Sequence, residues 1–342
     1  MGTSGRFLVV NGAALAGDVP PVTAFLESLS GAYTTTRTHA NASLLLFWDR
    51  HLRRLAESSR ILADSKPEFF NSVSDRVMVL AQNSAIESFV HESMRVGLGL
   101  ALSERSRVAS RDELAITALV RDRDDGVGNL DVYLHIGFYV PPAFGIGAHL
   151  VVAGPGREVA EAKYSDWARI RKRLERMRPP SATELLLSND GDHILEGSLT
   201  NFFVVRRRLV NDARDPSQID LERDCMFEVQ TAPIGDGILP GVIRQLVIEV
   251  CSDIGIPVKE VAPSWSEHKL WQEAFVTSSL RLVQFVETIQ APTICEDLQL
   301  RTWKDISWVQ KRFEGAGIIT TQIQREIMKR AGTSSYQTND IL

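Results

Sequence analysis

Residues 183–205 read TELLLSNDGDHILEGSLTNFFVV. TELLLSN, HILEG and TNFFVV are short, apolar and bounded by turn formers, the pattern of strands. Asp190-Gly191, between the first two, is a good hairpin signal, because such a pair supplies the positive φ of a tight turn. Upstream, HLVVAG at 149–154 adds another strand. Downstream, GVIRQLVIEVCSDIG is predicted to be a helix with Gly255 at its C-terminal cap, followed by the strands PVKEVA and EAFVTSS. Residues 211–226 are polar and charge-rich and fit a long surface loop. This half of the chain is therefore predicted to be β-rich.

The first half differs. FLVVNG reads as a strand and turn, and GAYTTTRT at 31–38 as a β-branched strand. In FWDRHLRRLAESSRIL, Phe47, Leu52, Leu55 and Leu62 fall near helical spacing, and Pro67 limits the helix. A second helix is predicted over 70–95, and then MRVGLGLAL, LAITALVR and DVYLHIGFYV as strands. PPAFGIGA at 141–148 breaks both periodicities with two prolines and two glycines and is the best interdomain linker. A chain of 342 residues with 44% apolar content is longer than one core usually organises. The expected division is an α+β domain over 1–140, the linker 141–148 and a second domain over 149–342.

Composition excludes several functions. The net charge of −5 gives no extended positive field for a phosphate backbone, so no nucleic-acid partner is expected. The basic run Arg169 to Arg178 includes Glu175 and reads as a solvated helix face. Cys225, Cys251 and Cys295 are odd in number and far apart, which suggests neither a disulfide framework nor a zinc site. A metal-free protein in a reducing compartment is the expectation. MGTSGR lacks the apolar core of a secretory signal, Arg6 stands where a myristoylation signal wants Ser or Thr, and no apolar run approaches the ~20 residues of a membrane span. The expected location is cytoplasmic, or an organelle if a transit peptide has been removed, with no membrane partner.

Chemistry enters through the order of several motifs, each weak alone. They are HLRRL at 51–55, AKYSDW at 162–167, EGSLTNFFVV at 196–205, ILPGVIR at 238–244 and EAFVTSSLRLV at 273–283. The series resembles the fold-type IV pyridoxal-phosphate enzymes, the class IV aminotransferase family, from about Phe7 to Ile289. That family includes branched-chain aminotransferases, D-amino acid transaminases and aminodeoxychorismate lyases. The resemblance implies a two-domain α+β fold: a smaller N-terminal α/β domain, a larger β-rich pseudo-barrel C-terminal domain, and the cofactor in the cleft between them. It also implies pyridoxal 5′-phosphate as cofactor, amino and keto acids as substrates, and a homodimer.

Residue roles follow from the same likeness. Lys163 matches the lysine that forms the Schiff base, a role requiring an accessible neutral amine. Glu196 matches the glutamate at the pyridine nitrogen, where a carboxylate keeps the ring electron-withdrawing. Asn201 and Phe203 take that motif's structural positions. Arg54, from the H-x-x-R-L pattern, matches the phosphate-binding arginine. Gly241 turns the chain into a helix whose Val242 and Ile243 N–H groups can meet a phosphate, and Ser278 and Ser279 match residues lining the same site. For substrate the expected residues are Tyr33, Thr35 and Arg37 of the GAYTTTRT strand and Arg121, with Arg37 or Arg121 as the carboxylate anchor.

Departures keep the reaction open. Relatives carry tyrosine four or five residues after the lysine, whereas Trp167 and Ala168 occupy those positions and Tyr164 follows Lys163 directly. Ile243 stands where branched-chain enzymes place threonine. Transamination of a D-amino or branched-chain amino acid is the leading expectation. A lyase reaction such as that on aminodeoxychorismate is the alternative, and a non-catalytic protein of the same fold is a third reading.

Overall fold

The computed structural model describes residues 5–66, 83–123, 130–143, 145–209, 225–293 and 303–342. In chain order its first elements are β1 (Arg6–Val10), β2 (Ala13–Ala14), α1 (Val22–Ser28), β3 (Ala32–His39), β4 (Leu44–Leu45), α2 (Trp48–Ser65), α3 (Asn83–Arg107), β5 (Glu113–Asp122) and β6 (Leu130–Tyr139). Then come β7 (Ala148–Val152), α4 (Trp167–Leu174), β8 (Glu184–Leu187), β9 (Glu196–Gly197), β10 (Asn201–Leu209), β11 (Cys225–Thr231) and α5 (Val242–Asp253). The last are β12 (Val258–Glu260), β13 (Trp271–Ser278), β14 (Leu282–Pro292), β15 (Trp308–Arg312), α6 (Ile318–Thr333) and β16 (Tyr336–Gln337). The chain divides into two compact units, one of residues 1–141, 161–170 and 330–342 and the other of 142–160 and 171–329.

The first unit is built on an antiparallel sheet of order β16-β4-β3-β5-β6-β1-β2. Successive residues of a strand face opposite sides, and in β3 Thr34 and Thr36 turn towards the α2 region while Tyr33, Thr35 and Arg37 take the other face. Helix α2 forms where the apolar spacing predicts, with Trp48, Leu52, Leu55 and Leu62 buried. Helix α3 overturns one expectation. MRVGLGLAL, expected as a strand, lies inside it, and 70–82 of the other predicted helix fall outside the described residues. Ile86, Val90, Met94, Leu98 and Ala101 are buried at helical steps. Gly97 shows why the local signal misled. A Cβ there would sit 2.9 Å from Ile136 Cδ1 and 3.1 Å from Leu134 Cδ2, so the glycine serves close packing of the helix on the sheet. Tertiary contact outweighs the helix-propensity cost of glycine.

The second unit is β-rich as expected, with sheet order β12-β11-β10-β13-β14-β7-β8-β9 and β15 paired to β14. Its interior includes Leu150, Leu186, Phe202, Trp271, Val276 and Ile289. The Asp190-Gly191 turn joins β8 to β9 in an antiparallel register that sets Leu187 opposite Glu196. Asp190 accepts hydrogen bonds from the Asp192 and His193 N–H groups, which closes the turn. Helix α5 stops before Gly255, whose φ is +73°. Of the expected loop at 211–226, residues 211–224 lie outside the described residues, while Cys225 and Met226 begin β11. Two α+β units are thus the fold class the sequence implied. Among the described residues no helix is long and apolar enough to cross a membrane.

Candidate active site

In the first unit the chain at Lys163 is tied to two elements. The Lys163 N–H donates to Ser58 Oγ of α2 at 3.0 Å. Its carbonyl accepts the Tyr33 N–H at 2.9 Å, and Tyr164 bridges Ala32 in antiparallel fashion. With the main chain held, the Lys163 ammonium lies 4.7 Å from the centroid of the Tyr33 ring. Tyr164 is itself buried, at 1% exposure, and so is a packing residue. Helical periodicity places His51, Arg54 and Ser58 of α2 along one stripe, three and four residues apart. Arg54 donates from NH2 to Thr34 Oγ1 at 2.7 Å, and Thr34 Oγ1 lies 2.9 Å from His51 Nδ1. His51 is fully buried, and burial, followed by the charges of Arg54 and Lys163, holds its imidazole well below its ordinary pKa.

In the second unit the EGSLTN stretch folds around Glu196, which is 2% exposed. Its Oε1 accepts both the Nε and NH2 hydrogens of Arg157, at 2.8 and 2.6 Å. Its Oε2 accepts the Leu239 N–H at 3.1 Å and the Asn201 side-chain amide at 3.3 Å. Glu196 is therefore a fixed carboxylate. The Asn201 amide also donates to the Leu239 carbonyl at 2.9 Å, joining EGSLTN to ILPGVIR. Glu184, also buried, accepts the Leu199 N–H, the Thr200 hydroxyl and Arg281 NH1, and so ties the same stretch to the turn after β13. Phe203 stacks on Phe275 at 4.8 Å, a packing role.

Gly241 precedes α5, whose first N–H groups, Val242 and Ile243 among them, have no intrahelical carbonyl to meet. The glycine is required by proximity, since its φ of −66° suits any residue and an added Cβ would land on Asn201 Oδ1. Gly241→Ala is expected to destabilise the protein by about 1–3 kcal/mol, the cost of forcing a methyl group into a packed site. Denaturant unfolding of the variant checks this, and an unchanged midpoint would mean that Asn201 yields freely. Ser278 uses its hydroxyl to accept the Arg281 N–H at 3.2 Å, and Ser279 lies in the following turn, partly exposed.

The four expected substrate residues share one face of the first sheet. Register pairs Tyr33 with Leu119 and Thr35 with Thr117, and Arg121 is two residues beyond Leu119. Thr35 and Thr117 hydroxyls are 3.0 Å apart. Arg37 is 4% exposed and donates to the Thr38 carbonyl, while Arg121 donates to the Asp122 carbonyl. Burial lowers the Arg37 pKa, opposed by Tyr139 and Glu113.

Three groups escaped the sequence reading. Arg157 is set against Glu196 by tertiary contact alone, and no spacing signals it. His51 belongs to the HLRRL motif that identified Arg54, and its Nε2 is buried without a partner. Thr277 Oγ1 is likewise buried without a partner, on β13 opposite Asn201. These residues fit a phosphorylated pyridine aldehyde: an amine at Lys163, a fixed carboxylate at Glu196, a guanidinium at Arg54, a helix start at Gly241 and unmatched buried polar atoms in both clusters.

The family model described as amino-transferase class IV matches residues 31–289. No curated protein matches the chain. Among solved structures, the branched-chain aminotransferase of the archaeon Thermoproteus uzoniensis with norvaline aligns at TM-score 0.63 and 18% identity, over 96% of this chain and 95% of that one. A branched-chain amino acid aminotransferase of T.th., complexed with N-(5′-phosphopyridoxyl)-L-glutamate, aligns at 0.61 and 17%, over 96% and 94%. A fold IV transaminase of Curtobacterium pusillum aligns at 0.58 and 15%, over 96% and 99%.

Proposed function

Because the chain belongs to the class IV aminotransferase family, we propose that it is a pyridoxal 5′-phosphate-dependent aminotransferase of amino acids with Lys163 as its central residue. The observation that carries the reading is Lys163 itself, main chain pinned to Ser58 and Tyr33 and amine presented over the Tyr33 ring. A lysine held in that way is set for chemistry at its side chain.

Pyridoxal phosphate, when bound, supplies an electrophilic aldehyde and an electron-withdrawing ring. Lys163 holds the cofactor through its amine and, once displaced by the substrate amine, moves the proton from the substrate Cα to the cofactor C4′. Glu196 faces the ring nitrogen as an anion, in a charge state set by Arg157. Arg54 meets the phosphate with the directional donors of a guanidinium. Val242 and Ile243 add main-chain N–H groups at a helix N-terminus, where anions are favoured. The substrate carboxylate falls to Arg37 or Arg121.

The relatives named for branched-chain amino acids favour transamination of such a substrate, and a D-amino acid is the other choice. Buried Ile243 and the absence of tyrosine at Trp167 and Ala168 favour the lyase alternative. A half-reaction separates the two. With an amino donor and no keto acid, the loaded enzyme is expected to accumulate the pyridoxamine form of its cofactor with at least one member of a panel of L- and D-amino acids, seen by chromatography of the released cofactor. If none does so while aminodeoxychorismate yields pyruvate, the lyase reading replaces it.

A further inference from the structure

The Thr34, His51 and Arg54 side chains form a directed chain of hydrogen bonds. Arg54 NH2 donates to Thr34 Oγ1 at 2.7 Å, so the single hydroxyl hydrogen of Thr34 is left for another acceptor. His51 Nδ1 lies 2.9 Å away. The same Nδ1 is 3.3 Å from Arg54 NH2, and a guanidinium has donors only. A hydrogen on Nδ1 would therefore face a donor. Nδ1 must carry a lone pair, and the hydrogen of the neutral ring belongs on Nε2. Burial of both partners, Thr34 and His51 each at 0% exposure, removes water as a competing partner.

From this geometry we propose that Thr34 and neutral His51 are positioning residues that set the plane of the Arg54 guanidinium, and with it the protein's preference for phosphorylated ligands. The proposal rests on the reading of Arg54 as the phosphate-binding arginine. One terminal nitrogen of the fork is fixed by Thr34, whose hydroxyl is fixed by His51, whose backbone is fixed by α2. A planar group held at one nitrogen presents its other donors in one direction, and a freely rotating one does not.

The test uses the cofactor-free full chain and compares its affinity for pyridoxal phosphate with that for unphosphorylated pyridoxal. Thr34→Val keeps the shape and strand preference of the residue but removes the hydroxyl. It is expected to reduce the preference for the phosphorylated ligand about tenfold, the effect of weakening one charge-assisted hydrogen bond. Thr34→Ser restores the hydroxyl and should return the preference to near the wild-type value, which a purely structural role of the methyl group would not do. Arg54→Ala should lose the preference altogether. If Arg54→Ala loses it and Thr34→Val keeps it, the relay is wrong while the phosphate role stands. If Arg54→Ala keeps it, that role is wrong and the relay falls with it. Nitrogen-15 spectra of histidine-labelled protein, with His51 assigned by its loss in His51→Asn, give an independent reading in the unmutated chain. Hydrogen on Nε2 is expected, and hydrogen on Nδ1 overturns the proposal.

Discussion

Lys163→Ala is expected to abolish covalent cofactor attachment and to leave the protein folded. The two hydrogen bonds that hold this position, to Ser58 Oγ and from the Tyr33 N–H, involve only the main chain of residue 163. Alanine keeps both. What is lost is the contact of the ammonium with the Tyr33 ring at 4.7 Å, worth about 0.5–1 kcal/mol at a partly exposed site. Function suffers far more, because one amine serves both attachment and proton transfer. Loss of the proton-transfer role alone costs about 10²–10⁴ in rate. Borohydride reduction of the loaded protein followed by peptide mapping should mark Lys163 in the wild type and no lysine in the variant. A label on another lysine, such as Lys172, would overturn the assignment, and a folded variant of unchanged turnover would do the same.

Glu196→Gln should slow turnover about tenfold or more while cofactor still binds, since an amide loses the charge-assisted hydrogen bond of a carboxylate, about 1.5–3 kcal/mol. The buried Arg157 complicates the experiment in a useful way. Both its donors go to Glu196 Oε1, and the two side chains are 5% and 2% exposed. Removing one partner of a buried ion pair costs about 3–5 kcal/mol, and glutamine, which keeps an acceptor oxygen, should cost less than that. Two measurements then separate the roles. A glutamate that serves only the fold would lose unfolding free energy and keep the turnover number of the loaded enzyme, whereas the proposed role requires both to fall.

The difference between these two sites shows which parts of the molecule were legible in the sequence. Lys163, Glu196, Arg54 and Gly241 were identified as candidates because each lies in a short motif, and the motifs follow one another in a recognisable order. The α2 stripe was legible for a local reason. Helical geometry alone puts His51, Arg54 and Ser58 on one side, whatever they touch. The hairpin at Asp190-Gly191 and the end of α5 at Gly255 were equally local, since each depends on the backbone freedom of one glycine.

Long-range contact decided the rest. Arg157 meets Glu196 across 39 residues, and Ser58 meets Lys163 across 105. No periodicity encodes such a pairing, which exists only when the strands and helices have taken their register. The glycines of MRVGLGLAL argued locally against a helix, and only the surface of the sheet, with Ile136 and Leu134 close beneath Gly97, makes a helix the better arrangement. The sequence by itself determined the two-unit α+β class, the family, and the residues that carry chemical groups. The tertiary structure alone decided their state: that Glu196 is held as a carboxylate by Arg157, that the Lys163 amine lies over Tyr33, and that Thr34 joins Arg54 to His51. Chemical identity belongs to a residue, whereas charge, orientation and hydrogen-bond direction are set by neighbours distant in the chain.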